Sequence, residues 1–275
     1  MKDKLYRNKE WLQEQFKKYK TPSLVSTMTG YPRTCITRYA VKYDIYNSKY
    51  TREKTNYVNE DYFCNIDSPD KAYFLGFIMA DGNMYKRKNG TYQFSIKIKN
   101  TDKDILFKFA DAIGFNKEKI HERSENRNGT ITRCIEIKIY NQRFCNSLIA
   151  LGIIPRKTGK EYMPEMPDEF KKDFIRGYID GDGWIGKDKA LIGICSSSNK
   201  ILEQINEYLK ETINTKLNSS KRRKDNVYVN STANRKKVYH ILKHLYYEDC
   251  VSLDRKNNLA KKSIENIYED LIGSL

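Results

Sequence analysis

The chain has 275 residues, with 51 Lys plus Arg against 35 Asp plus Glu and only three His, for a formal net charge of +16. That length suits about two domains with a well-buried core, and the basic excess points to a polyanion, with nucleic acid ahead of an acidic membrane surface. No apolar run approaches the roughly 18 residues of a membrane span, Met1-Lys2-Asp3-Lys4-Leu5 has no signal-peptide core, and the six Cys are scattered without one Cys-x-x-Cys pair. A cytoplasmic protein with reduced thiols, no membrane partner and no zinc ribbon is expected.

Residues 8–46 read as a small helical unit. Trp11, Leu12, Gln15, Phe16 and Tyr19 have helical spacing, and Leu24 to Met28, Gly30-Tyr31-Pro32 and Arg33 to Ala40 read as helix, turn and helix. This is similar to the helix-turn-helix pattern whose second helix enters the major groove. In that reading Arg33, Thr34, Thr37 and Arg38 face DNA while Cys35, Ile36 and Tyr39 face the core. The alternative is a helical packing module with a basic surface. Residues 47–68 are polar and irregular and read as a linker.

Two units of similar order follow. The first has a helix over Asp70 to Asp81, an alternating strand at Phe94 to Lys99 and a helix over Asp102 to Ile113. Strands at Lys119 to Arg123 and Cys134 to Tyr140 come next, turned at Asn128-Gly129, then a helix over Gln142 to Leu151. Pro155 and Met163-Pro164-Glu165-Met166-Pro167 form a constrained connector. The second unit has a helix over Asp168 to Asp182, a strand at Ala190 to Ser196 and a helix over Asn199 to Thr212. Strands near Lys216 to Lys224 and Val227 to Asn230 follow, with helices over Asn234 to Tyr246 and Asn257 to Leu271. His240 and His244 are four apart on the first of these, but Ile241 stands where a zinc-protease helix carries Glu, so both read as surface residues. The order in each unit is helix, two strands, helix, two strands, helix. The expected fold class is α+β, with domains 1–60 (helical module and linker), 61–160 and 161–275.

The densest information lies in two segments, Phe74 to Gly82 and Phe174 to Gly183. Aligned on Gly76 and Gly177, each is an apolar helix with small residues four apart, Gly76 with Ala80 and Gly177 with Gly181, ending in Asp-Gly. Residues four apart share a helix face, so each segment offers a flat stripe on which the other copy can pack closely. Asp81 and Asp182, 101 positions apart, then fall in last helical turns, where the macrodipole disfavours a carboxylate by up to ~1 kcal/mol. Paired at one end, they make a like-charge site that a divalent cation neutralises. One Asp-Gly alone would be a turn; the repetition argues otherwise. An EF-hand at Asp180 is excluded, because Trp184, Ile185 and Leu191 hold its fifth, sixth and twelfth positions.

These motifs, the duplication and the charge resemble the single-chain LAGLIDADG homing endonucleases, over about residues 70–272. The resemblance implies a monomer with pseudo-twofold symmetry, motif helices at the interface and two four-stranded sheets forming a saddle on double-stranded DNA. It also implies cleavage of both strands with Mg²⁺ or Mn²⁺, and a resident intron or other mobile element. Carried over residue by residue, it makes Asp81 and Asp182 the metal-binding catalytic acids. The sixth motif position is Met79 in one copy and Asp180 in the other, a departure read as harmless. The family's supporting lysine near the last helix of each unit maps to Lys256 and Lys157, for which an ordinary solvated Lys is the alternative. DNA contacts are expected from the polar faces of the sheets: Lys97, Lys99, Arg133 and Lys138 in the first unit, and Lys221, Arg222, Arg223 and Arg235 in the second.

Two other functions share this fold, a transcription regulator whose catalytic acids are usually lost and a maturase that binds intron RNA. Both acids are present, which favours the enzyme. An intein is disfavoured by the Met1 start and the Ile272-Gly273-Ser274-Leu275 ending, without the His-Asn of splicing chemistry.

Overall fold

In the computed structural model, capping side chains of Asn and of hydroxyl residues open half of the α-helices. Residues 4–46, 58–127, 129–222, 224–225 and 227–272 are described, and they fall into two compact units divided between residues 55 and 56. In the first unit, Asn8 accepts from the Trp11 amide to open α1 (Lys9–Tyr19) and Thr21 accepts from the Leu24 amide ahead of α2 (Pro22–Thr29). Gly30, at φ +72°, ends α2, and α3 (Arg33–Lys42) follows Pro32. Leu12, Phe16, Val25, Ile36 and Ala40 form the core of this unit, with Cys35 and Tyr39 half-buried at its edge.

The second unit holds two repeats. The first runs α4 (Pro69–Asp81), β1 (Gly82–Lys86), β2 (Tyr92–Lys99), α5 (Lys103–Ala112), β3 (His121–Arg127), β4 (Thr130–Ile139) and α6 (Gln142–Ala150). The second runs α7 (Asp168–Asp182), β5 (Gly183–Ile185), β6 (Ile192–Ser196), α8 (Asn199–Ile213), β7 (Asn218–Lys221), β8 (Tyr228–Thr232) and α9 (Arg235–Leu245), with α10 (Asp254–Ile272) added. Each repeat builds an antiparallel four-stranded sheet, in the orders β1-β2-β4-β3 and β5-β6-β8-β7. The fold is α+β. Ile96, Ile135 and Ile137 line the inner face of the first sheet against Phe109 and Phe144; Ile192 and Ile194 do the same in the second against Ile205 and Ile241. No helix among the described residues is long and apolar enough to cross a membrane.

Two expectations change. The strands β1 and β5, for which no segment stood out in the sequence, begin at the glycine of each Asp-Gly, whose extended backbone passes from helix end to strand without a loop. Five and three residues are too short to show an alternating pattern. The linker reading fails over residues 58–68, where Val58, Tyr62, Phe63 and Ile66 are buried and the Phe63 ring lies 5.6 Å from that of Phe144. Residues 47–57 of that linker, and Asn128 of the expected turn, lie outside the described residues; Gly129 has φ +83°.

Candidate active site at the motif-helix ends

Helices α4 and α7 meet along their small-residue stripes. A Cβ on Gly76 would stand 2.0 Å from the Phe174 carbonyl oxygen, and one on Gly177 would stand 2.0 Å from that of Tyr73. One turn on, a Cβ on Gly181 would lie 2.3 Å from the Ala80 Cβ. Backbone therefore touches backbone along Gly76, Ala80, Gly177 and Gly181, and the two helices end side by side. The Asp81 Oδ2 reaches to 3.3 Å from the Gly181 Cβ position, so this carboxylate leans over the neighbouring helix.

The electrostatics follow from that placement. Burial and the facing Asp182 raise the Asp81 carboxyl to about 6, with Lys256 and Lys157 acting the other way. Burial also raises Asp182, opposed by Lys157 and Lys256 and reinforced by Glu161. The lysines do not pair with these acids by hydrogen bonds. Lys157 Nζ donates to the Ala80 carbonyl at 2.9 Å, and Lys256 Nζ to the carbonyls of Ile179, Asp180 and Gly183 at 2.6, 2.8 and 2.7 Å. Each ammonium thus satisfies the last carbonyls of one motif helix, where the dipole favours a cation. Burial depresses both, Lys256 to about 8.

No described residue donates a hydrogen bond to the Asp81 or Asp182 carboxylate. Two half-buried, unpaired carboxylates converging from parallel helix ends are a donor set suited to a hard divalent cation. Among the described residues no group of three or more His, Cys, Asp or Glu side chains forms a metal cage, so other ligands would be main-chain oxygens, water or substrate phosphate.

The sixth motif position separates the two copies. Met79 is buried in the apolar core, whereas Asp180 accepts from the Tyr73 and Tyr246 hydroxyls and the Leu253 amide, each at 2.7 Å. It ties α4, α9 and the start of α10 together and is structural. Asp180→Ala leaves those three donors unpaired and buried, so unfolding in urea should show a loss of about 3–5 kcal/mol; a loss below about 1 kcal/mol contradicts this role.

Residues 169–246 match the family model described as a LAGLIDADG-like domain. That match spans the second repeat. The chain is 31% identical over 140 residues to the DNA-directed RNA polymerase subunit Rpo1C of Methanocaldococcus jannaschii, covering 50% of this chain and 15% of that protein. It is 26% identical over 199 residues to the replication factor C small subunit of Thermococcus kodakarensis, covering 71% of this chain and 22% of that protein. The chain therefore spans less than a quarter of the length of either relative. Among solved structures, the I-SmaMI LAGLIDADG homing endonuclease bound to cleaved DNA is similar over 74% of this chain and 97% of that one, with a TM-score of 0.43 and 13% identity.

Around the two repeats, the expected basic residues divide. Lys97, Lys99 and Lys138 share the outer face of the first sheet, since Ile96, Ile98, Ile137 and Ile139 take the inner one. Two carboxylates missed in the sequence share that face: Lys97 pairs with Glu125 at 2.6 Å, and Lys138 with Glu136 at 3.1 Å. Arg133 has the parity of Ile135, Ile137 and Ile139 and so projects from their inner face, opposite the lysines, correcting its expected place. Lys221 is corrected likewise. It pairs across from Tyr228, itself opposite Ser196, on the helix-covered side of the second sheet, with its ammonium 4.8 Å from the Tyr228 ring. Arg222 pairs with Asp225 in the turn at 3.1 Å, Arg235 opens α9 and belongs to no strand, and Arg223 lies outside the described residues. Arg33, Thr34, Thr37 and Arg38 line one shallow depression on the outer face of α3.

A cavity of about 360 Å³ opens beside Asp81, lined by Phe77, Lys97, Lys99, Asp102 and Arg255 among others. A further acid, Glu161, is 7% exposed with its Oε2 buried and unpartnered, and its charge acts on both Lys157 and Asp182. Its place four residues after Lys157 carries no motif.

Proposed function

We propose that this chain is a site-specific, divalent-metal-dependent DNA endonuclease that hydrolyses one phosphodiester in each strand of a long, partly degenerate target. The observation that carries this reading is the convergence of two unpaired carboxylates, Asp81 and Asp182, at the abutting ends of twin helices. Asp81 and Asp182 would hold Mg²⁺ or Mn²⁺ between the helix ends and the scissile phosphates. A divalent cation there supplies a water nucleophile at neutral pH and offsets charge on the leaving oxygen. Lys157 and Lys256 add positive charge at the same ends, where phosphate oxygens gain negative charge during displacement. Lys97, Lys99 and Lys138, on one sheet face, would contact the DNA backbone, exchanging their pairs with Glu125 and Glu136 for phosphate. Arg33, Thr34, Thr37 and Arg38 on α3 would enter a major groove. Retention of both acids favours this enzyme over a regulator of the same fold, and the protein acts as a monomer.

The test is incubation with a randomised duplex library and Mg²⁺, followed by sequencing of the ends. Double-strand breaks at one enriched motif are expected. A motif that is bound yet uncut with either Mg²⁺ or Mn²⁺ contradicts the proposal.

Deleting residues 1–55, which stops at the boundary between the two units, should weaken affinity for the selected target about tenfold or more while leaving metal-dependent cleavage at saturating protein. A truncated protein that is folded by circular dichroism but cuts nothing would count against a separate catalytic core.

A further inference from the structure

The two lysine-bearing segments are held at equivalent corners of opposite repeats. Helices α5 and α8 follow the second strand of their repeats, with Asp102 and Ser198 as N-cap residues and Lys108 and Gln204 as their sixth residues. Lys108, in the first repeat, donates to the Ser252 carbonyl at 2.8 Å and pairs with Asp254 at 2.5 Å, just ahead of Lys256. Asp104 accepts from the Asp254 amide at 3.1 Å, capping α10 from the other repeat, and Asp102 grips Arg255 through two bonds of 2.7 and 3.0 Å.

The mirror arrangement surrounds the segment after Lys157. Gln204 accepts from the Met163 amide at 2.9 Å and donates to the Met163 carbonyl at 3.2 Å, while the Ser198 hydroxyl donates to the Glu161 carbonyl at 2.7 Å. The Lys160 amide closes a turn onto the Lys157 carbonyl at 2.8 Å, which links that anchored stretch to the lysine. One corner uses charge and the other neutral amide and hydroxyl groups, but the positions correspond.

We propose that Lys108 and Gln204 are equivalent positioning residues, Lys108 for the segment that carries Lys256 and Gln204 for the segment that carries Lys157. The function of the two lysines rests on the endonuclease reading; their placement does not. Both lysines are nearly out of solvent, at 2% residue exposure for Lys256 and 9% for Lys157, so each reports its own segment by its reactivity.

The experiment is acylation of the metal-free full-length protein at its lysines, followed site by site by mass spectrometry, for wild type, Lys108→Ala and Gln204→Ala. The ratio of Lys256 to Lys157 labelling should rise about fivefold in Lys108→Ala and fall about fivefold in Gln204→Ala. Global loosening would raise both lysines together, and that result, or a ratio unmoved in either variant, overturns the proposal. These outcomes hold whether or not the protein cuts DNA. If the selected target is cut, Lys108→Ala should slow one strand and Gln204→Ala the other in single turnover; equal slowing of both strands by either variant also overturns it.

Discussion

Gly177→Ala is expected to unfold the second unit of this protein or destabilise it by at least about 3 kcal/mol. Helix propensity alone argues the reverse, because Ala exceeds Gly by roughly 1 kcal/mol within a helix. The packing decides. The added methyl would sit 2.0 Å from the Tyr73 carbonyl oxygen, 2.8 Å from the Phe77 nitrogen and 2.9 Å from the Tyr73 carbonyl carbon, all backbone of α4. No side chain can rotate away, so the helices must separate and lose contact along the whole stripe. Gly90→Ala is the control: its φ of +83° carries about 1 kcal/mol of strain, but no atom lies within 4 Å. Urea denaturation compares the two, and a Gly177→Ala protein as stable as Gly90→Ala would refute the close helix contact.

Asp81→Asn and Asp182→Asn should each reduce double-strand cleavage at least about 100-fold while leaving target binding within about threefold. The same substitutions carry an opposite signature in stability. The Asp81 carboxyl titrates near 6 in the folded protein, above the usual 3.8, chiefly because of burial and then because of Asp182. Its raised value means that the folded state holds the proton more tightly. Metal-free stability therefore falls as pH rises from about 4 to about 6 and stays reduced above that. Asp81→Asn removes the penalty, so at pH 7 without metal it should melt higher than wild type, by on the order of 1–2 kcal/mol after allowance for partial exposure. At pH 4 the difference should largely vanish. Thermal melts at the two pH values check this, and an Asn variant less stable than wild type at pH 7 would contradict the like-charge pairing.

The parts of this architecture that are local in the chain were the legible ones. Gly76, Ala80, Gly177 and Gly181 declare their face by spacing alone, and the helix contact follows from their size. Capping residues such as Asn8, Thr21, Ser68, Asn141 and Asn234 mark helix starts to within about a residue or two. Lys157 and Lys256 came from family resemblance, and their hydrogen bonds to helix-end carbonyls depend on contacts 73 to 77 positions apart. The clamp on Asp180 was illegible for the same reason, since Tyr73 lies 107 positions away and Tyr246 lies 66. Strand parity was a different kind of miss. The alternation Ile135, Ile137, Ile139 already assigns Arg133 to the inner face, although its charge alone suggests the outer one. Glu125 and Glu136 carry no sequence signal of their own, because their pairing with Lys97 and Lys138 depends on strand register. Phe63 was lost in a polar stretch whose burial depends on Phe109 and Phe144 arriving from later elements.

In the proposed enzyme, Asp81 and Asp182 together would hold a divalent cation against DNA. Electron paramagnetic resonance of Mn²⁺ added to the protein on its selected target measures this directly, for wild type and for the double variant Asp81→Asn with Asp182→Asn. The wild-type complex should take up Mn²⁺ and the double variant, equally bound to the DNA, should not. Equal uptake by both would place the cation elsewhere and remove the ground for assigning catalysis to the paired aspartates.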